Sequence, residues 1–469
     1  MMHLREVAAA VNGQAPEANP LIQRVTTDSR KVKPGDLFVA LTGPRFDGNE
    51  FAAQAAQQGA VAMLAGRPVA SSPIPVVVVT DTRLALGALA RHWRGKLDVT
   101  VVAVTGSNGK TTVKEMLARI LGQRGDVLAT EGNLNNDIGV PLTLLRLRKQ
   151  HRFAVIEMGA NRPGEIRYLS ALAQPRAAIV TNAAPAHLAG FGSVADVVKA
   201  KSEIFTALGD DGLAVINHDD QHAAQFRQFA APHRIVSFGL KSGADVTADA
   251  DGVATKILEQ GFVTEFRARS GDVQIDVRLP LAGFHNVLNA LAVVAVGLDF
   301  GLSAQEIAAG LNSMAPVPGR LVPRRGIGGV RLIDDSYNAN PASVKAAIDV
   351  LMTCDAPRVL ALGDMLELGA DAAALHADVG VYARERGVDA LYATGAYSRE
   401  AVESFGPGAW YFADSAALGD AMRGDITSGR LSASTILIKG SRGIAMEKVV
   451  AALKNSGGAA PASPHKALI

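Results

Sequence analysis

Cysteine is nearly missing. Cys354 is the single one among 469 residues, which excludes an intramolecular disulfide and fits a reducing compartment. Excess charge is missing too: the net charge of +2 suggests no nucleic-acid footprint, and no nucleic-acid partner is expected. There is no long unbroken apolar run. The greasiest segment, Leu281 to Phe300, is interrupted by His285, Asn286, Asn289 and Asp299, so it reads as a buried helix rather than a membrane span. Residues 1–7 carry Glu6 and lack an apolar core, so no secretory leader is expected. What is present, 48% hydrophobic residues and 47 glycines, fits α/β packing. At roughly 150 residues per domain the length suggests about three domains. The expectation is a soluble, cytoplasmic, multidomain protein.

One stretch is far more specific than the rest. Val99 to Val104 is a β-branched, apolar run of the kind found in buried parallel strands. It gives way to Thr105-Gly106-Ser107-Asn108-Gly109-Lys110-Thr111-Thr112 and then to a helical pattern through Met116, Leu117, Ile120 and Leu121. Strand, glycine loop, lysine, hydroxyl and helix together form a phosphate-cradling P-loop. The glycines let backbone N–H groups turn inward, and the helix N-terminus adds partial positive charge. Lys110 is placed to reach the β- and γ-phosphates, and Thr111 to ligate Mg²⁺. The spacing departs from the common form, because Val104 stands where the first glycine usually does.

Residues 1–80 are expected to mix short strands with one helix, Asn49 to Gly59, ending near a strand at Val76–Thr80. After the P-loop, strands are expected at 153–157, 177–181, 213–217 and 234–238, with helices near 164–173, 193–208 and 219–230. Such alternation implies a parallel sheet covered on both faces. Residues 245–280 read as antiparallel hairpins appended to that sheet, followed by helices at 285–299 and 303–312. The proline-rich stretch Met314 to Arg320 marks a boundary. A second α/β series follows, with strands near 330–334, 358–363, 389–394 and 434–438. The domains expected are 1–82, 83–313 and 314–454, with a disordered tail at 455–469 rich in Gly, Ala, Ser and Pro.

Further constellations lie where strands end. Glu157 closes Phe153–Ile156, at the edge of the crevice where parallel sheets bind ligands, and is placed as a metal ligand or a Walker-B-like acid. An ordinary solvent-facing glutamate is the alternative. His187 follows the strand at 177–181 and reads equally as a metal ligand or a structural histidine. Lys201 falls on the apolar face of a helix with Val197, Val198, Ile204 and Phe205; its spacing alone favours a packed lysine stem. Asp334 to Pro341 is a polar turn rich in carboxylates and amides, either a helix-capping turn or a ligand site.

In this order, the motifs resemble the Mur ligase family, the ATP-dependent amide ligases of peptidoglycan precursor synthesis. The resemblance runs from about Asp28 to Glu447, and the shortened T-G-S-N-G-K-T-T loop is that family's form. It implies an α/β, three-domain Mur ligase architecture, with a central P-loop parallel-sheet domain and a Rossmann-like C-terminal domain. Gly132–Thr143, Glu157–Ile166, Asp335–Pro341, Leu362–Gly369 with His376, and Lys439–Gly443 are most similar to one branch. That branch joins D-alanyl-D-alanine to UDP-N-acetylmuramoyl-tripeptide, a reaction of cell-wall biogenesis on which cell shape and division depend.

The resemblance implies roles. ATP would sit on Thr105, Gly106, Ser107, Asn108, Gly109, Lys110, Thr111 and Thr112, with His285, Asn286 and Asn289 at adenine or ribose, Arg320 at the γ-phosphate and Asp335 on the ribose side. Mg²⁺ would be supported by Thr111, Glu157, His187 and Lys201, the last as a carbamate formed with CO₂. Lys110, Glu157, His187, Lys201 and Arg320 would be the catalytic set. Ser29, Arg30, Asp47 and Asn49 look like the UDP-sugar site, and Asn135, Asn136 and Asp137 would lie near the peptide carboxylate. Tyr337, Asn338, Asn340, Ser441 and Arg442 would help hold the dipeptide. A monomer is expected. Another Mur-family or folylpolyglutamate-synthase-like ligase remains an alternative, as does a nucleotide-switched binding module that ligates nothing.

Overall fold

The computed structural model describes residues 1–44, 46–185, 188–258 and 261–455. The N-terminal residues form a parallel sheet in the order Arg24–Thr26, Asp36–Val39, Ala62–Ala65, Val76–Val78. The helix expected over Asn49–Gly59 is a 3₁₀ turn, Gly48–Phe51, running into Ala52–Gln57. It is not the only helix there. Leu4–Ala10 is helical without any side-chain cap, held by burial of Leu4, Val7 and Ala8 rather than by a local signal. A further helix, Thr82–Gly95, begins where the Asp81 carboxylate accepts from the backbone N–H groups of Arg83 at 2.8 Å and Leu84 at 3.0 Å.

Among the described residues the middle sheet has ten strands. From one edge they run Asp126–Ala129, His151–Glu157, Thr100–Thr105, Ala177–Val180, Leu213–Asn217 and Arg234–Gly239, all parallel. Val246–Ala248 continues the parallel run, and Gly261–Ser270 then pairs antiparallel with Ala254–Leu258 and with Val273–Leu279. The expected strands and hairpins are all present. The edge strand Asp126–Ala129 was not expected, being four residues with one buried side chain. The chain starts this sheet at Thr100–Thr105 and places later strands on both sides of it, so the P-loop opens at a topological switch point.

The central strand alternates by face. Val101 and Ala103 point into a core shared with Leu4, Val7, Leu37, Leu64, Leu89 and Trp93; Val102 and Val104 point into the core under the helices Lys110–Leu121 and Phe284–Asp299. Val104 is fully buried there, so the position that usually holds glycine belongs to the strand.

The C-terminal sheet runs Val322–Arg325, Arg331–Asp335, Thr435–Lys439, Arg358–Gly363, Ala390–Thr394, Ala409–Phe412, parallel except for its antiparallel first pair. The two outer strands were not expected. Val322–Arg325 contains a proline and two arginines, a composition tolerated at a sheet edge but unlike an interior strand. One core on this sheet is built mainly from residues beyond 320, with Phe262 and Ala282 contributed by the middle region. The expected tail lies outside the described residues apart from Asn455, whose backbone N–H donates to Arg325 O at 3.2 Å. No helix among the described residues is long and apolar enough to cross a membrane.

Candidate active site

The carboxyl ends of the middle and C-terminal sheets face one cavity of about 560 Å³. Its floor is the P-loop. Gly109, at φ +83°, caps the helix Lys110–Leu121, and a Cβ there would stand 2.4 Å from Asn289 Oδ1. A Cβ on Gly106 would stand 1.8 Å from Thr181 Oγ1, so neither position accepts a side chain. The loop is pinned from the next strand: Asn108 N donates to Asn182 Oδ1 at 2.9 Å, and Thr181 Oγ1 to Asn108 O at 2.5 Å. Lys110 Nζ donates to Gly106 O at 2.7 Å; burial lowers its pKa, opposed by the Glu157 carboxylate.

Glu157 ends its strand 2% exposed. Its Oε1 accepts from Asn135 Nδ2 at 2.9 Å, while Oε2 is buried without a hydrogen-bond partner. A buried carboxylate oxygen left unpaired at the mouth of a P-loop fits a hard cation, which prefers oxygen ligands. Lys201 lies in the last turn of Val194–Ser202, 4% exposed, and its Nζ has no hydrogen bond or ion pair among the described residues. Burial, then the nearby Lys110 charge, holds its pKa well below the ordinary lysine value. Together Thr111, Glu157 and Lys201 line the cavity. Among the described residues no three His, Cys, Asp or Glu side chains form a ready-made metal cluster. His187, the remaining expected metal ligand, lies outside the described residues.

The opposite wall belongs to the C-terminal sheet. Arg320 Nη2 donates to Thr111 Oγ1 at 3.1 Å, its guanidinium lies 4.6 Å from the centre of the Tyr337 ring, and its buried Nε is unpartnered. Asn340 caps the helix Pro341–Leu351 and exchanges amide hydrogen bonds with Asn108 of the P-loop, at 2.7 and 3.3 Å. Asp335 and Lys439 stand side by side at the ends of adjacent strands; Lys439 Nζ donates to Asp335 Oδ2 at 2.6 Å and to Asn338 O at 2.9 Å. Burial raises the Asp335 pKa even with that lysine beside it. His285 is held near pKa 4 by burial and then by the Lys439 charge, so it is neutral at pH 7. Asn286 and Asn289 are buried and linked, Nδ2 of Asn289 donating to Asn286 Oδ1 at 3.1 Å.

Most expected residues therefore meet: Ser107 to Thr112, Asn135 to Asp137, Glu157, Lys201, His285, Asn286, Asn289, Arg320, Asp335, Tyr337, Asn338 and Asn340 all line the cavity. Thr105 does not. It is fully buried and its hydroxyl is spent on Met158 O at 2.8 Å. Ser441 and Arg442 also stand apart. The Ser441 hydroxyl accepts from Leu366 N at 2.9 Å and donates to Ala339 O at 3.3 Å, and Arg442 is exposed, pairing with Glu447 at 3.5 Å. Ser29, Arg30, Asp47 and Asn49 do not line this cavity and belong to the N-terminal region. There Arg30 pairs with Asp28, and Asp47 is held near pKa 2 by the Asn49 backbone N–H and then by Arg67.

Lys439, Asn182 and Asn217 line the cavity without having been expected there. Lys439 and Asn217 end parallel strands and Asn182 lies two residues beyond one, the same signal that picked out Glu157. His376 is fully buried; its Nε2 accepts from Met365 N at 2.9 Å and its Nδ1 faces Ala372 O at 2.6 Å. That pattern fixes the neutral Nδ1–H tautomer, and burial lowers its pKa accordingly.

Three family models match the chain in order. They are described as the Mur ligase family catalytic domain (residues 21–94), the Mur ligase middle domain (residues 104–297) and the Mur ligase glutamate ligase domain (residues 319–442). The chain is 44% identical over 454 residues to the UDP-N-acetylmuramoyl-tripeptide–D-alanyl-D-alanine ligase of Escherichia coli K12, covering 97% of this chain and 98% of that one. Among solved structures it is similar to MurF of Acinetobacter baumannii, with TM-score 0.89 and 38% identity over 96% of this chain and 98% of that one. MurF of Thermotoga maritima in complex with ADP superposes with TM-score 0.79 at 28% identity, covering 92% of this chain and 96% of that one.

Proposed function

Because the chain belongs to the Mur ligase family, we propose a reaction and a role for each residue of its cavity. The enzyme is an ATP-dependent, ADP-forming ligase that joins D-alanyl-D-alanine to UDP-N-acetylmuramoyl-tripeptide in peptidoglycan precursor synthesis. The terminal carboxylate of the tripeptide attacks the γ-phosphorus of ATP; an O–P bond forms, the bond to the β-phosphate oxygen breaks, and ADP leaves behind an acyl phosphate. The dipeptide amine then attacks the acyl carbon through a tetrahedral intermediate, loses a proton and expels inorganic phosphate. Without this activation a carboxylate and an ammonium do not condense in water.

Catalysis here is positioning and charge neutralisation. Lys110 and Arg320 approach the transferring phosphoryl group from opposite walls, and Tyr337 supports the Arg320 guanidinium. Asn135, Asn136 and Asp137 hold the peptide end, His285, Asn286 and Asn289 the nucleoside, Asp335 the ribose side, and Asn338 and Asn340 the dipeptide. Ser29, Arg30, Asp47 and Asn49 take the UDP-sugar. Mg²⁺ would be held by Thr111, Glu157 and Lys201, with His187 as the further ligand expected from the sequence, and would supply neutralisation of phosphate charge. Lys201 becomes a ligand of that kind by carbamylation: the neutral amine adds to the carbon of CO₂, forming an N–C bond and releasing a proton. Its unpaired, buried amine with a lowered pKa favours the neutral form this addition requires. Domain boundaries near 82/83 and 313/314 fit the capped start of Thr82–Gly95 and the end of Ala304–Asn312.

The observation carrying these roles is the single cavity that joins the P-loop, the unpaired Glu157 oxygen and Lys201 to Arg320 and Asn340 of the other sheet. An acceptor panel tests the reaction. ADP release in the presence of UDP-N-acetylmuramoyl-tripeptide should be stimulated by D-alanyl-D-alanine, with an amide product of matching mass. Stimulation by a single amino acid but not by the dipeptide would point instead to a different amino-acid-adding ligase.

A further inference from the structure

Two residues beyond Lys201 lies a buried acid that the reaction itself does not use. Glu203 is 5% exposed and opens the 3₁₀ turn Glu203–Ala207 that continues the Lys201 helix. Its carboxylate reaches across to another helix. Gly164 N donates to both of its oxygens, at 2.9 and 3.0 Å, and Arg167 N donates to Oε2 at 3.2 Å. The Ser170 hydroxyl donates to the Glu203 carbonyl at 3.4 Å. Those N–H groups are the open N-terminus of the helix Glu165–Ala173, whose own N-cap, Gly164 at φ +86°, has no side chain to offer. Glu165 is committed elsewhere, accepting from Asn161 N at 2.8 Å and Arg162 N at 3.2 Å. The helix is therefore capped from 39 positions along the chain.

The loop so anchored is the one that leaves Glu157. Gly159, Ala160, Asn161 and Glu165 line the cavity together with Glu157 and Lys201. We propose that Glu203 is a positioning residue for Lys201: its carboxylate clamps the end of the Lys201 helix to the loop following Glu157, and so holds the lysine amine in the cavity where CO₂ adds to it. The proposal rests on the carbamate reading of Lys201. Its physical content is the surroundings of one nitrogen. With the clamp intact, the last helical turn cannot fray and the amine keeps its place in the cavity with Thr111 and Glu157. With the clamp removed, two backbone N–H groups, those of Gly164 and Arg167, lose a charged acceptor, the turn loosens, and the amine no longer keeps the position in which CO₂ reaches it.

A helix cap with no further role would also explain the hydrogen bonds, so the test needs a readout that capping alone does not move. Full-length enzyme is equilibrated with ¹³C-bicarbonate at graded concentrations. Carbamate occupancy is read from the carbonyl-region carbon signal that Lys201→Ala lacks, and ADP release is followed at the same concentrations. In Glu203→Ala the bicarbonate required for half-occupancy should rise roughly tenfold, the equivalent of one lost charge-assisted hydrogen bond. Activity should follow the same curve and recover at saturating bicarbonate. Glu203→Gln, which keeps one acceptor oxygen, should fall between wild type and alanine and guards against a variant that does not fold. A folded Glu203 variant with wild-type occupancy at every bicarbonate concentration, or with lost activity that bicarbonate does not restore, overturns the clamp alone. A wild-type enzyme without any carbamate signal overturns the Lys201 reading, and the clamp with it.

Discussion

Removing the Lys439 ammonium while leaving its carboxylate partner in place isolates the energetics of the cavity's C-terminal wall. Asp335 and Lys439 are 8% and 3% exposed, end adjacent strands in register, and meet at 2.6 Å. In Lys439→Met, Asp335 retains a single backbone donor, Leu321 N at 3.2 Å, for a charge that was compensated before. Breaking a buried pair from one side costs about 3–5 kcal/mol. Asn338, which also loses a donor, is an exposed residue whose carbonyl water can satisfy, so nothing is added for it. In a unit of this size the loss lowers the melting temperature by about 6–20 °C. The loss should also depend on pH in a fixed direction. Burial already raises the Asp335 pKa, and without Lys439 it rises further. A carboxyl with a folded pKa above its unfolded one binds protons preferentially in the folded state. Its protonated form therefore supports the fold at low pH, and that support disappears as pH rises through the folded pKa. The deficit of Lys439→Met against wild type should be largest near pH 8 and shrink toward pH 5, as measured by calorimetry of the C-terminal transition. The double variant Asp335→Asn with Lys439→Met should regain most of the loss. A Lys439→Met deficit that is absent, or equal at both pH values, would refute the reasoning.

Two further outcomes follow from single residues. Gly109→Ala forces a β-carbon to φ +83° and to within 2.4 Å of Asn289 Oδ1; the left-handed conformation alone costs about 1–2 kcal/mol, so ATP affinity by calorimetry should fall about tenfold or more, and unchanged affinity would contradict the loop geometry. His285 has a folded pKa of about 4, below the unfolded value of about 6.5, so the unfolded chain takes up the proton first as pH falls. Its contribution is whole above about pH 7 and declines below 6.5, by up to about 2 kcal/mol at pH 5. Urea titrations of His285→Gln should show a correspondingly shallower pH dependence than wild type, and identical slopes would refute it.

The legible parts of the sequence were those where local pattern and global packing coincide. The strand, glycine loop and helix around Lys110 can be read directly, because each step needs particular residue types. Glu157 was legible because parallel strands carry their ligand groups at the carboxyl end; Lys439 obeys the same rule and was overlooked because only its sequence neighbours, not its burial, were visible. Lys201 was ambiguous for a physical reason: helical spacing places a lysine stem on an apolar face whether its amine reaches water or not. Thr105, Ser441 and Arg442 sat in motifs yet spend their polar groups away from the cavity, and spacing cannot show where a hydroxyl finds its partner. The edge strands Asp126–Ala129 and Val322–Arg325 draw their stability from one neighbour each, so their own composition carries little strand signal.

The two seams around the middle sheet differ in what it takes to part them. The N-terminal sheet and helix Thr82–Gly95 share one dry core with the middle sheet, from Leu4 and Leu37 through Leu89 to Ile156, so sliding them apart would hydrate large aliphatic surfaces at about 25 cal/mol per Å². Across the C-terminal seam the ties at the cavity are side-chain amides and a guanidinium, Asn108 to Asn340 and Arg320 to Thr111, bonds that water replaces at about 1 kcal/mol each. Away from the cavity the same seam is tied by Phe262 and Ala282 of the middle region, buried in the C-terminal core. The wall proposed to hold the dipeptide is thus the one whose ties to the P-loop cost least to exchange for water, and it is there that the cavity opens most cheaply.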